Sequence, residues 1–150
     1  MNVLYCGDRN IEDGLIISIV SLLKNAKTNL KVYVLTINSK EWNIVGVTDK
    51  CIDVLDNKMK LINKENSIKK IDITEIFEKE LPAKNMKTRF TPCCMLRLFA
   101  DEIPELPDKI LYLDNDVICR KDCQEFYNQD MEKYEIARVF RLLWKVVFQK

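Results

Sequence analysis

Two carboxylates one residue apart, Asp114 and Asp116, follow directly on the apolar run Ile110, Leu111, Tyr112, Leu113 in the stretch ILYLDNDVIC. A short apolar run after a polar break is the pattern of a buried strand, most often of a parallel sheet. Ligands of open α/β sheets gather at the carboxyl ends of such strands. Two carboxylates there repel each other unless a cation joins them, and oxygen ligands suit a hard divalent ion. The spacing therefore points to a divalent metal beside an anionic substrate. Asx residues at a strand end also make plain turns. On residue types alone both readings stand.

Two further positions could meet this pair. Asp8 follows the first strand-like segment, where an Asp can bind a ligand or merely form a turn or cap a helix. Arg97 lies in the apolar stretch CCMLRLFA. A buried Arg needs a partner, and a structural carboxylate or a substrate phosphate would serve equally.

The elements that must position these residues alternate strand and helix. Asn2–Cys6 reads as a strand, Gly7 to Asn10 as a turn, and Ile11–Lys27 as a helix with apolar residues at Ile16, Ile19, Val20, Leu22 and Leu23. Leu30–Leu35 alternates as a second strand, completing a βαβ unit. Asp49–Asn63 predicts a helix with Ile52, Leu55, Met59 and Leu61 on one side, Ser67–Ile73 a strand, and Glu75–Leu81 a short helix stopped by Pro82. Thr91 and Pro92 have the N-cap and first-turn chemistry to open a helix through Ala100. The strand Asp108–Leu113 then delivers the carboxylate pair. The fold class is α/β.

At 150 residues one core, and one domain, is the expectation. A net charge of +1, from 24 basic and 23 acidic residues, gives no electrostatic case for nucleic acid. No run is long and apolar enough to predict a membrane span, and Met1 leads straight into a strand pattern, so the expected location is cytoplasmic. Six cysteines in mostly apolar segments, with no His, read as buried reduced thiols rather than a zinc site.

Taken in order, NVLYCGDRN, SLLKN, LKVYVLT and LRLFADEIPELPDKILYLDNDVIC resemble glycosyltransferase family 8, the retaining group that includes glycogenin and bacterial lipopolysaccharide glucosyl- and galactosyltransferases. The likeness covers residues 1 to about 137. It implies a three-layer, Rossmann-like nucleotide-diphospho-sugar transferase fold of the GT-A type. By the same likeness Asp8 and Asn10 face the uridine, and Arg97 and Asn115 contact the sugar-nucleotide. Asp114 and Asp116 would bind Mn2+ (or Mg2+), with Asp114 also facing the ribose and donor sugar. The implied donor is a UDP-sugar, the implied acceptor a glycan or lipid-linked saccharide. Haloacid-dehalogenase-type phosphatases also carry a D-x-D at a strand end, but there it opens the domain, whereas here it follows several βα elements.

The resemblance also marks departures. The family supplies a metal-binding His well beyond the D-x-D, and this chain has none. Residues 1–137 read as the N-terminal, nucleotide-sugar-binding part of such a domain. Residues 138–150 form an atypical tail: as a helix it would leave Leu142, Leu143, Trp144, Val146, Val147 and Phe148 without a partner and favour self-association, unless it packs over the exposed sheet. A shifted reading frame or a truncation would explain the tail; a diverged natural terminus is the alternative. Either way, the expectation is a domain inactive on its own, or a nucleotide-sugar-binding pseudoenzyme.

Overall fold

The computed structural model describes residues 1–80, 92–131, 134–138 and 145–149. The chain begins with β1 (Asn2–Cys6), α1 (Glu12–Asn25) and β2 (Lys31–Thr36). It continues through α2 (Asp49–Ile62), β3 (Ser67–Asp72) and α3 (Thr74–Lys79). A run of 3₁₀ turns over Pro92–Glu102 precedes β4 (Lys109–Leu113), the short α4 (Gln124–Tyr127), β5 (Ile136–Arg138) and β6 (Lys145–Gln149). The six strands form one sheet in the order β3-β2-β1-β4-β6-β5. β3, β2, β1 and β4 are mutually parallel, while β6 runs antiparallel to both β4 and β5.

Strands buried on both faces show near-continuous apolar runs, and alternate residues must then feed two separate cores. In β1 Val3 and Tyr5 pack on the α1/α2 side, whereas Leu4 faces the layer of α3 and the 3₁₀ segment. In β4 Leu111 and Leu113 take the first side, Ile110 and Tyr112 the second. This is a three-layer α/β architecture. α2 is capped by Thr48, whose hydroxyl accepts from the Cys51 amide at 3.2 Å.

Several expectations shift in detail. The buried face of α1 is Leu15, Ser18, Ile19 and Leu22, with Ile16 and Val20 turned to solvent. Ser18 belongs there because its hydroxyl meets the buried Tyr5 hydroxyl at 2.7 Å. Leu61 is 79% exposed, since a residue two beyond the buried Met59 lies on the opposite side of a helix. The helix expected through Ala100 is a 3₁₀ run, and Thr91, Leu81 and Pro82 lie outside the described residues.

Part of the tail pairs with the sheet rather than standing apart from it. Lys145–Gln149 is extended, not helical, and inserts between β4 and β5, pairing with both. A Val-Val-Phe sequence favours a strand, and the open edge of β4 supplies a template for one. Leu142, Leu143 and Trp144 lie outside the described residues.

Four cysteines are buried, Cys6 is half-buried and Cys94 exposed. The Cys119 and Cys123 sulfurs lie 3.7 Å apart as thiols. Among the described residues no helix is long and apolar enough to cross a membrane.

Phe77 anchors the second core: it is fully buried and meets Phe99 edge-on, ring centroids 5.9 Å apart. Phe77→Ala is expected to lower unfolding free energy by about 3–5 kcal/mol, whereas Leu61→Ala should stay within about 0.5 kcal/mol. Urea denaturation of both variants checks the contrast; equal effects would contradict this packing.

Candidate functional site

Reversal of strand order places β1 between β2 on one side and β4 on the other. At such a switch point the connections leave in opposite directions and open a crevice at the carboxyl ends of the strands. Asp8 follows β1 and Asp114 follows β4, so both lie at this crevice. The register pairs Val3 with Leu111 and Leu4 with Tyr112.

The β1 side is a self-capped turn. Asp8 accepts from the Asn10 amide at 2.9 Å and from the Asn10 side chain at 3.1 Å. The loop after β2 holds this turn in place: the Arg9 amide donates to the Val45 carbonyl at 2.8 Å, and Asp8 forms a bridge with Gly46. The Gly46 amide donates in turn to Asn38 Oδ1 at 2.8 Å. A Cβ at Gly46 would lie 2.9 Å from Thr36 Oγ1 and 3.1 Å from the Ile37 carbonyl oxygen, so this approach needs glycine. From the opposite layer the Cys93 thiol bonds to Asp8. Burial first, then the charge of Asp8, pushes that thiol up to about 12.

The β4 side is a three-residue relay. Arg97 Nη1 donates to the Tyr112 hydroxyl at 3.1 Å, and that hydroxyl donates to Asp114 Oδ1 at 2.6 Å. Arg97 Nη1 also lies 3.6 Å from Asp114 Oδ1, and its guanidinium carbon sits 5.2 Å from the centroid of the Tyr112 ring. Burial opposes the charge of Arg97, but Tyr112 and Asp114 outweigh it and hold the guanidinium above its ordinary value. Cys6, the last residue of β1, joins the two sides. Burial drives its thiol well above the usual range, the Arg97 charge opposes that, and Asp114 adds to it.

The D-x-D turn itself is closed by the Val117 amide donating to the Asp114 carbonyl at 3.1 Å. Asp116 is exposed and Asp114 half-buried. The chain that follows is tied to α1: the Cys119 amide donates to Ser21 Oγ at 2.8 Å, and Asn25 donates to the Cys119 carbonyl at 2.8 Å. Asn115 rests on Gly14 of α1, where a Cβ would lie 2.8 Å from its side-chain Nδ2 and 2.9 Å from its backbone carbonyl oxygen.

The structure thus brings Asp8 to Asn10, and Arg97 to Asp114, and seats Asn115 on α1. Among the described residues no three His, Cys, Asp or Glu side chains converge on one metal position. Asp114 and Asp116 offer hard oxygen donors that suit a divalent cation, but only part of a coordination shell. Tyr112 and Gly14 escape the sequence reading. Each had a signal: Tyr112 is two residues before Asp114 and so shares its face of the strand, and Gly14 interrupts an otherwise helical pattern.

The profile described as Glycosyl transferase family 8 matches residues 2–146. The chain belongs to that family. Among solved structures, an active-site mutant of LgtC superposes with a TM-score of 0.77 at 16% identity, over 99% of this chain and 57% of that one. Galactosyltransferase LgtC in complex with donor and acceptor sugar analogues gives 0.73 at 16% identity, over 99% and 58%. The glycosyltransferase GlyE of Streptococcus pneumoniae TIGR4, in its apo form, gives 0.60 at 18% identity, over 99% and 33%. These likenesses establish the nucleotide-sugar transferase fold of LgtC, and this chain spans less than three-fifths of the LgtC chains. No curated protein matches the sequence significantly.

Gly14→Ala tests the seat of the D-x-D turn. Ala ordinarily stabilises a helix relative to Gly by about 1 kcal/mol. Here the added methyl would press on the Asn115 backbone, and overpacking costs about 1–3 kcal/mol. A net loss of stability is expected, with a displaced Asn115 amide resonance. A more stable variant with Asn115 unmoved would mean that the turn does not depend on this contact.

Proposed function

We propose that this chain is a glycosyltransferase-type domain that binds a UDP-sugar through a divalent metal, Mn2+ or Mg2+, at Asp114 and Asp116. The reaction would move a hexose to a glycan or lipid-linked saccharide acceptor. The observation that carries the proposal is the meeting of a half-buried Arg97 with Asp114 at the switch point of a family-8 fold. All the residues named lie within 1–137, the part to which the binding role is assigned.

Each residue has work suited to its chemistry. The Asp8 carboxylate accepts hydrogen bonds and suits an imide N–H of a uracil, while Asn10 beside it offers both a donor and an acceptor. Arg97 presents a planar fork of donors to a diphosphate, and its charge is maintained by Tyr112 and Asp114. Asp114 and Asp116 would hold the metal, with diphosphate oxygens completing what two side chains cannot. Bound there, the ion supplies Lewis-acid stabilisation of the departing diphosphate. Asn115, between them on the Gly14 seat, lies where the sugar-nucleotide would pass. A second reading is a nucleotide-sugar-binding domain without transfer, since among the described residues the two carboxylates supply only part of a metal shell.

UDP titration by calorimetry, with Mn2+ and with EDTA, separates these readings from a plain turn. Binding should depend on Mn2+. Losing an outer partner of a bound metal costs ~10–100-fold in affinity, so Asp116→Asn, which removes a ligand, should cost at least that, with Asp114→Asn also weakened. Indifference to UDP in both conditions would sink both readings. A sugar-transfer assay with UDP-hexoses then divides the two: the expected outcome for this chain alone is little or no transfer, and robust transfer would exclude the non-catalytic reading.

A further inference from the structure

Tyr112 is 3% exposed, and its ring packs in the core with Leu4, Phe99 and Ile110. Only its hydroxyl reaches the site, where it stands between Arg97 and Asp114. The direction of its proton is fixed by chemistry. A guanidinium only donates, so the hydroxyl accepts from Arg97 at 3.1 Å and must spend its own proton on Asp114 Oδ1 at 2.6 Å. That short bond to an ionised acceptor is of the stronger, charge-assisted kind.

A strand-end carboxylate otherwise rotates over a broad torsional range, since its terminal torsion has no sharp staggered wells. The Tyr112 hydroxyl occupies Oδ1 and turns it toward the 3₁₀ segment, where Arg97 lies 3.6 Å from the same oxygen. Oδ2 is then the oxygen left for another partner. We infer that Tyr112 is a positioning residue of the metal site, fixing the orientation in which Asp114 would meet the cation. This rests on the reading of Asp114 as a metal ligand. Partners of this outer kind commonly orient the carboxylates that bind metals.

Tyr112→Phe removes only the hydroxyl. The ring stays, and with it the packing and the stacking surface for Arg97. With UDP held constant, the Mn2+ concentration for half-maximal binding should rise roughly tenfold. In EDTA, UDP binding followed by NMR up to millimolar nucleotide should change less than about twofold, because Arg97 keeps its place over the ring. The urea midpoint should fall only modestly, since one hydroxyl is lost while the ring stays packed. An unchanged Mn2+ requirement overturns the inference, as does an equal loss of binding with and without metal, which would mark a general role in the fold. A parent protein indifferent to UDP and Mn2+ would instead overturn the functional reading, and this inference with it.

Discussion

Two carboxylates at the ends of adjacent central strands are the constraint on which this structure turns. β1 and β4 are parallel neighbours, and an Asp follows each at the same end of the sheet. Neither charge can retreat into the layers, which are apolar on both sides. Each must therefore be met at the crevice by donors or by a cation. Asp8 is met by its own turn and by Cys93, and Asp114 by Tyr112 and Arg97. The 3₁₀ segment exists in the right place to do this: its buried Cys93, Leu96, Phe99 and Ala100 pack on the sheet, which leaves Arg97 and Cys93 facing the strand ends.

The two halves are built differently. Around Asp8 most contacts are short-range or run to the neighbouring loop, with Asn10 two residues away, Val45 and Gly46 closing over it and the Cys93 thiol reaching in from another layer. Around Asp114 they come from separated elements: Arg97 on the 3₁₀ segment, Gly14 on α1 under Asn115, Ser21 and Asn25 gripping Cys119. The first half is a property of a turn. The second exists only once the three layers have assembled.

That difference explains what could be seen in the residues beforehand. The strands β1 to β4 and the two long helices follow from apolar runs and periodicity, so the fold class and the strand-end carboxylates were visible early. Asp8 with Asn10 was accessible for the same reason, being local. The Arg97–Tyr112 contact spans fifteen positions of sequence, and pattern alone left Arg97 open between a structural and a phosphate partner. Tyr112 reads as one more apolar residue of a buried strand, and only its place two residues before Asp114 points its hydroxyl toward the site. For the tail, the residues leave open whether it stands apart or packs on the sheet; Lys145–Gln149 form a strand because β4 offers an open edge, a long-range circumstance that a local pattern cannot register.

A buried aromatic with a polar tip is a natural choice for the Asp114 side. The apolar body of Tyr112 contributes to the core, so the position is held by packing rather than by the weaker, water-exposed contacts of the crevice. An Asn or Ser there could offer a donor but no comparable buried surface, and its orientation would be free to vary. Arg97 shows the complementary arrangement: its charge is exposed enough to meet an anion, yet it stacks on a ring that the core fixes. Both polar atoms that approach Asp114 are thus referenced to the rigid interior, while Asp116, one residue beyond Asn115, is exposed. The anchoring of Asp114 through Tyr112 is what gives this side of the crevice a definite geometry.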